Sequence, residues 1–140
     1  MPDRFFLDTN ILVYTFDAQA AQKRKKAQDL VQRALDGPQG IVSYHVVQEF
    51  LNLATRKFKV PLSAKDCRAY LDQVLLPLWE VNPSPELYRK ALAVAEETGW
   101  SFYDSLIVSG AIVAGCTRVY SEDMQDGRKV EQLVIENPFR

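Results

Sequence analysis

Phe5-Phe6-Leu7-Asp8-Thr9-Asn10-Ile11-Leu12-Val13-Tyr14 is the stretch on which the reading of the whole chain turns. Phe5 to Leu7 is a short run with no polar residue on either face, and a carboxylate, a hydroxyl and an amide follow it at once. A strand without polar–apolar alternation is one buried on both sides, as in the middle of a parallel sheet. The polar triplet marks the point where that strand leaves the core. Asp8 there can serve chemistry, or simply cap the start of the next helix.

Outward from this strand the chain alternates. Ala27, Leu30, Val31, Ala34 and Leu35 recur at spacings of three and four, which predicts an amphipathic helix ended by Gly37-Pro38. Ile41 and Val42, after Gly40, read as a second strand. Ser43 caps a helix whose apolar stripe is Val46, Val47, Phe50, Leu51, Leu53 and Ala54, with Glu49 at its edge. Ser63-Ala64-Lys65-Asp66 has the form of a capping box and opens a helix that runs to Leu76-Pro77. Trp79 to Val81 is a third strand. Ser84-Pro85 pairs an N-cap with proline at the first helical position, and Gly99 stops that helix. Ser101 begins a helix that is apolar nearly all round, so Ser105 and Ser109 within it read as packing residues. Thr117 to Tyr120 is a fourth strand, and Leu133 to Ile135 a last one at the sheet edge. The pattern predicts an α/β fold, one domain over residues 1–140, with a parallel sheet of four or five strands flanked by helices on both faces.

Composition narrows the function. With 17 basic and 18 acidic residues the net charge is −1, so any contact with nucleic acid rests on local positive charge or on metal. Cys67 and Cys116 are far apart and form no CxxC pair, so a zinc finger or dithiol redox site is unsupported, and two scattered cysteines fit a reducing cytoplasm. The longest apolar stretch, Leu106 to Cys116, falls short of the roughly 20 residues of a membrane span. The Met-Pro-Asp-Arg start shows no signal-peptide pattern. There is no GxSxG elbow, Walker loop or GxGxxG.

What remains is acidic. In open parallel sheets ligands bind outside the carboxyl ends of the strands. Asp8 ends the first predicted strand and Asp123 follows the fourth. Glu49 and Asp104 lie near the starts of helices on that same edge. Each has an ordinary reading too: Glu49 as a solvated helix residue, Asp104 as the partner of Ser101 in a capping box, Asp123 as a turn residue. Together, converging carboxylates repel and raise one another's pKa unless a cation neutralises them. Hard oxygen ligands favour Mg²⁺ or Mn²⁺, and such an ion promotes phosphodiester hydrolysis.

Four blocks carry a family resemblance. They are Phe6 to Tyr14, Ser43-Tyr44-His45-Val46-Val47-Gln48-Glu49-Phe50, Ser101-Phe102-Tyr103-Asp104-Ser105-Leu106-Ile107, and Tyr120-Ser121-Glu122-Asp123-Met124-Gln125-Asp126-Gly127. In this order they resemble the PIN-domain endoribonucleases, notably the VapC-type toxins of type II toxin–antitoxin pairs. The resemblance implies that Asp8, Glu49, Asp104 and Asp123 form a catalytic quartet that binds Mg²⁺ or Mn²⁺, with Asp8 and Asp104 the principal ligands. Thr9, Asn10 and Ser121 would support them, and Asp126 stands close enough to share or replace the role of Asp123. It further implies an RNA substrate, a cognate antitoxin and a homodimer. The number of ions stays open.

Two basic segments, Lys23 to Lys26 and Arg56-Lys57-Phe58-Lys59, are either solvated helix faces or phosphate contacts. Tyr14, Phe58, Trp100 or Tyr103 could stack a base, although packing accounts for most such rings. His45, the only histidine, reads as structural or as a supporting donor. Two rival functions fit an acidic pocket. One is an RNA-binding or receiver-like module without turnover. The other is a phosphatase that forms an aspartyl-phosphate on Asp8, against which Asn10 stands where a second aspartate would be needed.

Overall fold

The computed structural model describes residues 3–140. Its strands are β1 (Phe5–Leu7), β2 (Gly40–Ser43), β3 (Trp79–Val81), β4 (Arg118–Tyr120), β5 (Lys129–Val130) and β6 (Leu133–Glu136). Its helices are α1 (Thr9–Tyr14), α2 (Ala21–Asp36), α3 (Tyr44–Arg56), α4 (Ala64–Tyr70), α5 (Leu76–Leu78), α6 (Pro85–Thr98) and α7 (Phe102–Val113). The strands form one sheet in the order β3-β2-β1-β4-β6-β5. All pairings are parallel except β5 with β6.

β1 has neighbours on both sides, and Phe5, Phe6 and Leu7 are buried accordingly. From β1 the chain winds outward through β2 to β3, then returns to place β4 on the opposite side of β1. The order reverses between β1 and β4. At such a switch point the following loops diverge to opposite faces and leave a crevice at the carboxyl edge. Leu7 pairs with Tyr120, so Asp8 and Ser121 leave the sheet side by side at that crevice.

The sheet differs from expectation at one edge. It has six strands, not four or five, and is mixed. β6 is interior, and the two-residue β5 is the edge. β5 is too short to show alternation, and the turn behind it has no Asn-Gly or Gly signature; Glu131 adopts the left-handed conformation instead, at φ 53°. The helix expected from Ser63 to Pro77 is also interrupted. After α4 the chain widens into a π-helical turn at Leu71–Leu75 before α5. Pro77 has no N–H and its ring crowds the carbonyl four residues back, so the regular ladder cannot run through it.

The serine caps hold as expected. Ser43, Ser63, Ser84 and Ser101 each accept a hydrogen bond from the backbone N–H three residues on. Gly40 is required by a close approach. A Cβ there would lie 2.4 Å from Ala34 Cβ and 2.7 Å from Ala34 Cα, so the absent side chain lets α2 lie directly on β2. Gly40→Ala is expected to lower stability by about 1–3 kcal/mol as overpacking. Urea denaturation checks this through a lower midpoint at unchanged slope; an unchanged midpoint would mean that α2 yields freely.

Candidate active site

Asp8 is the N-cap of α1, and Oδ1 accepts from the Thr9 backbone N–H at 2.7 Å. Its own N–H extends the β1–β4 ladder by donating to Tyr120 O at 3.1 Å. On the other carboxylate oxygen, Ser121 Oγ donates to Oδ2 at 2.8 Å. The support expected from Thr9 thus comes through its backbone; its hydroxyl is buried without a hydrogen-bond partner.

Asn10 ties the two strand ends together. Its Nδ2 donates to Asp123 Oδ2 at 3.0 Å and lies 3.3 Å from Ser121 Oγ and 3.5 Å from Asp8 Oδ2. Its Oδ1 accepts from Glu122 N at 3.2 Å. Ser121 Oγ also accepts from Asp123 N at 3.2 Å. One amide and one hydroxyl therefore set the placement of two carboxylates. Asn10 cannot supply a second acid, and it is fully engaged as a spacer between acids.

The sequence reading missed a second layer. Glu122 lies between Ser121 and Asp123 but turns to the far side. It accepts from Tyr14 Oη at 2.5 Å and from Lys23 Nζ at 2.6 Å. Lys23 also sits 5.0 Å from the centroid of the Tyr14 ring. Burial acts to raise the Glu122 carboxyl, but the hydrogen bonds from Lys23 and Tyr14 outweigh it and hold it below its ordinary value. Lys23 is thus neither a free solvated charge nor a free phosphate contact; it anchors the β4 loop to α2. The signal was the placement of Glu122 inside an acidic run, where it looks like one more candidate ligand.

The remaining acids divide. Glu49, exposed in the second turn of α3, is close enough to act on Asp8 by charge. Asp104 is half-buried in the first turn of α7, where its backbone N–H donates to Ser101 Oγ. The far end of α7 lies at the opposite sheet edge, because Ala114 O accepts from Arg4, the residue just before β1. Asp104 is therefore at the carboxyl edge with Asp8, though its carboxylate makes no hydrogen bond to Asp8 or Asp123 among the described residues. Asp126 is directed elsewhere: it accepts from Asn137 N at 2.8 Å and pairs with Arg140 at 3.8 Å. Among the described residues, no three acids close around a common point.

Burial pushes the Asp8 carboxyl up from 3.8 to about 6; the hydrogen bonds from Ser121 and Thr9 oppose this, and the charges of Glu49 and Asp123 add to it. Among the described residues no cationic side chain is hydrogen-bonded to this carboxylate. The neighbouring carboxylate oxygens are hard donors, of the kind that suits a hard divalent cation.

The sheet reverses its strand order between β1 and β4, and Asp8, Ser121 and Asp123 stand together where those two strands end; in open α/β sheets that edge is where ligands bind. The PIN domain family matches residues 5–128, and the chain belongs to that family. Solved structures share the fold. The toxin–antitoxin complex from Klebsiella pneumoniae superposes with a TM-score of 0.68 at 16% identity, over 95% of this chain and 96% of that one. Mycobacterium tuberculosis VapC20, a sarcin–ricin loop cleaving toxin, gives 0.60 at 22% identity, over 85% and 89%. VapBC2 from Rickettsia felis, bound to a promoter DNA fragment, gives 0.60 at 20% identity, over 95% and 97%. No curated protein matches the sequence. No helix among the described residues is long and apolar enough to cross a membrane.

The raised Asp8 has a consequence for stability. Because its folded-state pKa lies above the unfolded value, the fold favours the protonated form, and the contribution of Asp8 to the stability of the metal-free protein falls as pH rises from about 4 to about 6. The loss is about 3 kcal/mol, at 1.36 kcal/mol per pKa unit. In EDTA, Asp8→Asn is expected to flatten this decline, so that the variant gains on the wild type between pH 4 and pH 7. Thermal melts at both pH values check it; parallel profiles would show that Asp8 is not desolvated.

Proposed function

We propose that the chain is a divalent-metal-dependent endoribonuclease and the toxin of a toxin–antitoxin pair. The observation that carries this is the buried Asp8 carboxylate at the sheet switch point, facing Glu49 and Asp123 with no cationic side chain among its hydrogen-bond partners. Family membership and the fold shared with a sarcin–ricin loop cleaving toxin support it.

Asp8 and Asp104 would hold Mg²⁺ or Mn²⁺, and Glu49 and Asp123 would complete the shell directly or through water. Bound there, the cation supplies Lewis acidity toward a phosphate oxygen and water. The protein's own part is positioning. The Thr9 N–H and the Ser121 hydroxyl hold Asp8 in one orientation, and Asn10 keeps Asp123 at a set distance from it. Glu49, free at the rim, orients the water that attacks phosphorus, and the 3′ oxygen leaves as a hydroxyl. Asp126, engaged by Asn137 and Arg140, stays outside this set.

We further read the protein as a cytoplasmic homodimer inhibited by a cognate antitoxin. A groove of about 450 Å³, lined by Phe16, Phe58 and Val60 and by Lys57 and Lys59 against the one acid Asp17, supports a partner segment with one apolar and one acidic face.

The test is cleavage of a panel of labelled RNAs with Mg²⁺, with Mn²⁺ and with EDTA. Cutting is expected with either ion and not with EDTA. Asp8→Asn and Asp104→Asn should each lose more than about a hundredfold, and Ser121→Ala roughly ten- to a hundredfold through the carboxylate it orients. Equal cutting by wild type and both aspartate variants would sink the assignment. Lys23→Met, which frees Glu122, is expected to raise the metal concentration needed for half-maximal cutting while Lys23→Arg does not; identical metal titrations would show that the anchor is only structural.

A further inference from the structure

β6 runs parallel beside β4, with Glu136 opposite Tyr120, and Ser121 N donates to Glu136 O at 3.0 Å. The two strands therefore end together, and the segment that leaves β6 meets the loop carrying Glu122 and Asp123. The PIN match stops at residue 128, short of this segment. Asn137 N donates to Asp126 Oδ1 at 2.8 Å, and Arg140 lies 3.8 Å from the other oxygen of that carboxylate. Asn137 Oδ1 in turn accepts from Phe139 N at 2.9 Å, which closes an Asx-turn. The turn sets the Phe139 ring edge-on to Tyr14, with centroids 4.9 Å apart and planes inclined by 67°.

Tyr14 and Lys23 are the two donors to Glu122, so Phe139 bears on the layer behind the acids. Lys23 Nζ lies 5.0 Å from the Tyr14 centroid and 5.7 Å from that of Phe139. The Lys23 side chain is 41% exposed, and an ion pair open to water holds its geometry weakly. A ring beside it excludes water and attracts the ammonium, which turns the pair into a fixed contact. Glu122 passes the constraint inward. Its N–H donates to Asn10 Oδ1, and the Asn10 amide reaches both Asp123 and Asp8.

Asp126 finds its use here. By sequence it competes with Asp123 as a ligand, yet one of its oxygens holds Asn137 and the other faces Arg140. We propose that residues 137–140 form a strap that fixes the Asp123 loop from behind, with Phe139 and Asp126 as positioning residues for the Asp8–Asp123 pair. Where it concerns a cation the proposal rests on the nuclease reading; where it concerns the placement of the acids it does not.

The test makes two measurements on the full chain. One is the NMR signal of the Asn10 side-chain amide in EDTA, assigned by its absence in Asn10→Ala. The other is Mn²⁺ binding, read from the electron paramagnetic resonance of the free ion. Phe139→Ala and Asp126→Ala are expected to move the Asn10 signal and to weaken Mn²⁺ binding roughly three- to tenfold, less than the loss of a ligand's direct partner would. Phe139→Tyr keeps the ring. Asp126→Asn keeps an oxygen for Asn137 N and gives up only an exposed ion pair, so both conservative variants should bind Mn²⁺ within about twofold of wild type. An Asn10 signal that stays put in Phe139→Ala overturns the proposal, even if the melting temperature falls. Asp126→Asn losing Mn²⁺ as fully as Asp126→Ala overturns it too, since Asp126 is then a ligand. If wild type takes up no Mn²⁺ while the Asn10 signal moves as expected, the nuclease reading falls and the strap stands.

Discussion

Asp8 ends a strand that is buried on both faces, and its carboxylate stays behind in that dry setting, with Ser121 donating to one oxygen and the Thr9 N–H to the other. Two hydrogen bonds do not replace the water it has lost, and its pKa near 6 is the measure of the deficit. The surrounding construction follows from keeping a charge in this place. β4 must lie directly beside β1 for Ser121 to reach Asp8, which requires the reversal of strand order that also opens the crevice. In a solvated loop the same carboxylate would keep its water and its ordinary pKa.

The same constraint explains why the support comes in two layers. Asn10 and Ser121 hold the acids directly, yet both sit on segments that charge repulsion between Asp8 and Asp123 would push apart. Glu122, bonded to Tyr14 and Lys23, ties the Asp123 loop to α1 and α2. α2 is held against β2 by the missing side chain at Gly40. The position of Asp123 is thus linked to helix–sheet packing on the far side of the molecule's first crossover.

Much of this was legible in the chain. The doubly buried β1, the serine caps and the alternation of strands with helices are local patterns, and each carries its physics within a few residues. Four short blocks in order indicated the family. The parts that were not legible depend on distant partners. Lys23 looks like any solvated lysine until Glu122, 99 positions on, arrives beside it. Asp126 and Asp123 are equivalent as sequence, and only the approach of Asn137 and Arg140 separates them. β5 exists because β6 offers it an edge, and Glu131, paired with Lys90, takes a backbone conformation that sequence would assign to glycine or asparagine.

The acids themselves differ in freedom, and the difference suits the proposed chemistry. Asp8 and Asp123 share the Asn10 amide and cannot move independently. Glu49 is exposed on a long side chain, and Asp104 is half-buried with only its backbone engaged, so both can adjust. A site with four rigid carboxylates would carry the full repulsion of the set whenever the cation was absent. One with four mobile carboxylates would lose the preorganisation that electrostatic catalysis requires. A fixed pair beside two movable acids limits the first penalty and retains the second advantage. Where the fixed acids sit is decided by strand register; where the movable ones sit is decided by which helices begin at the carboxyl edge.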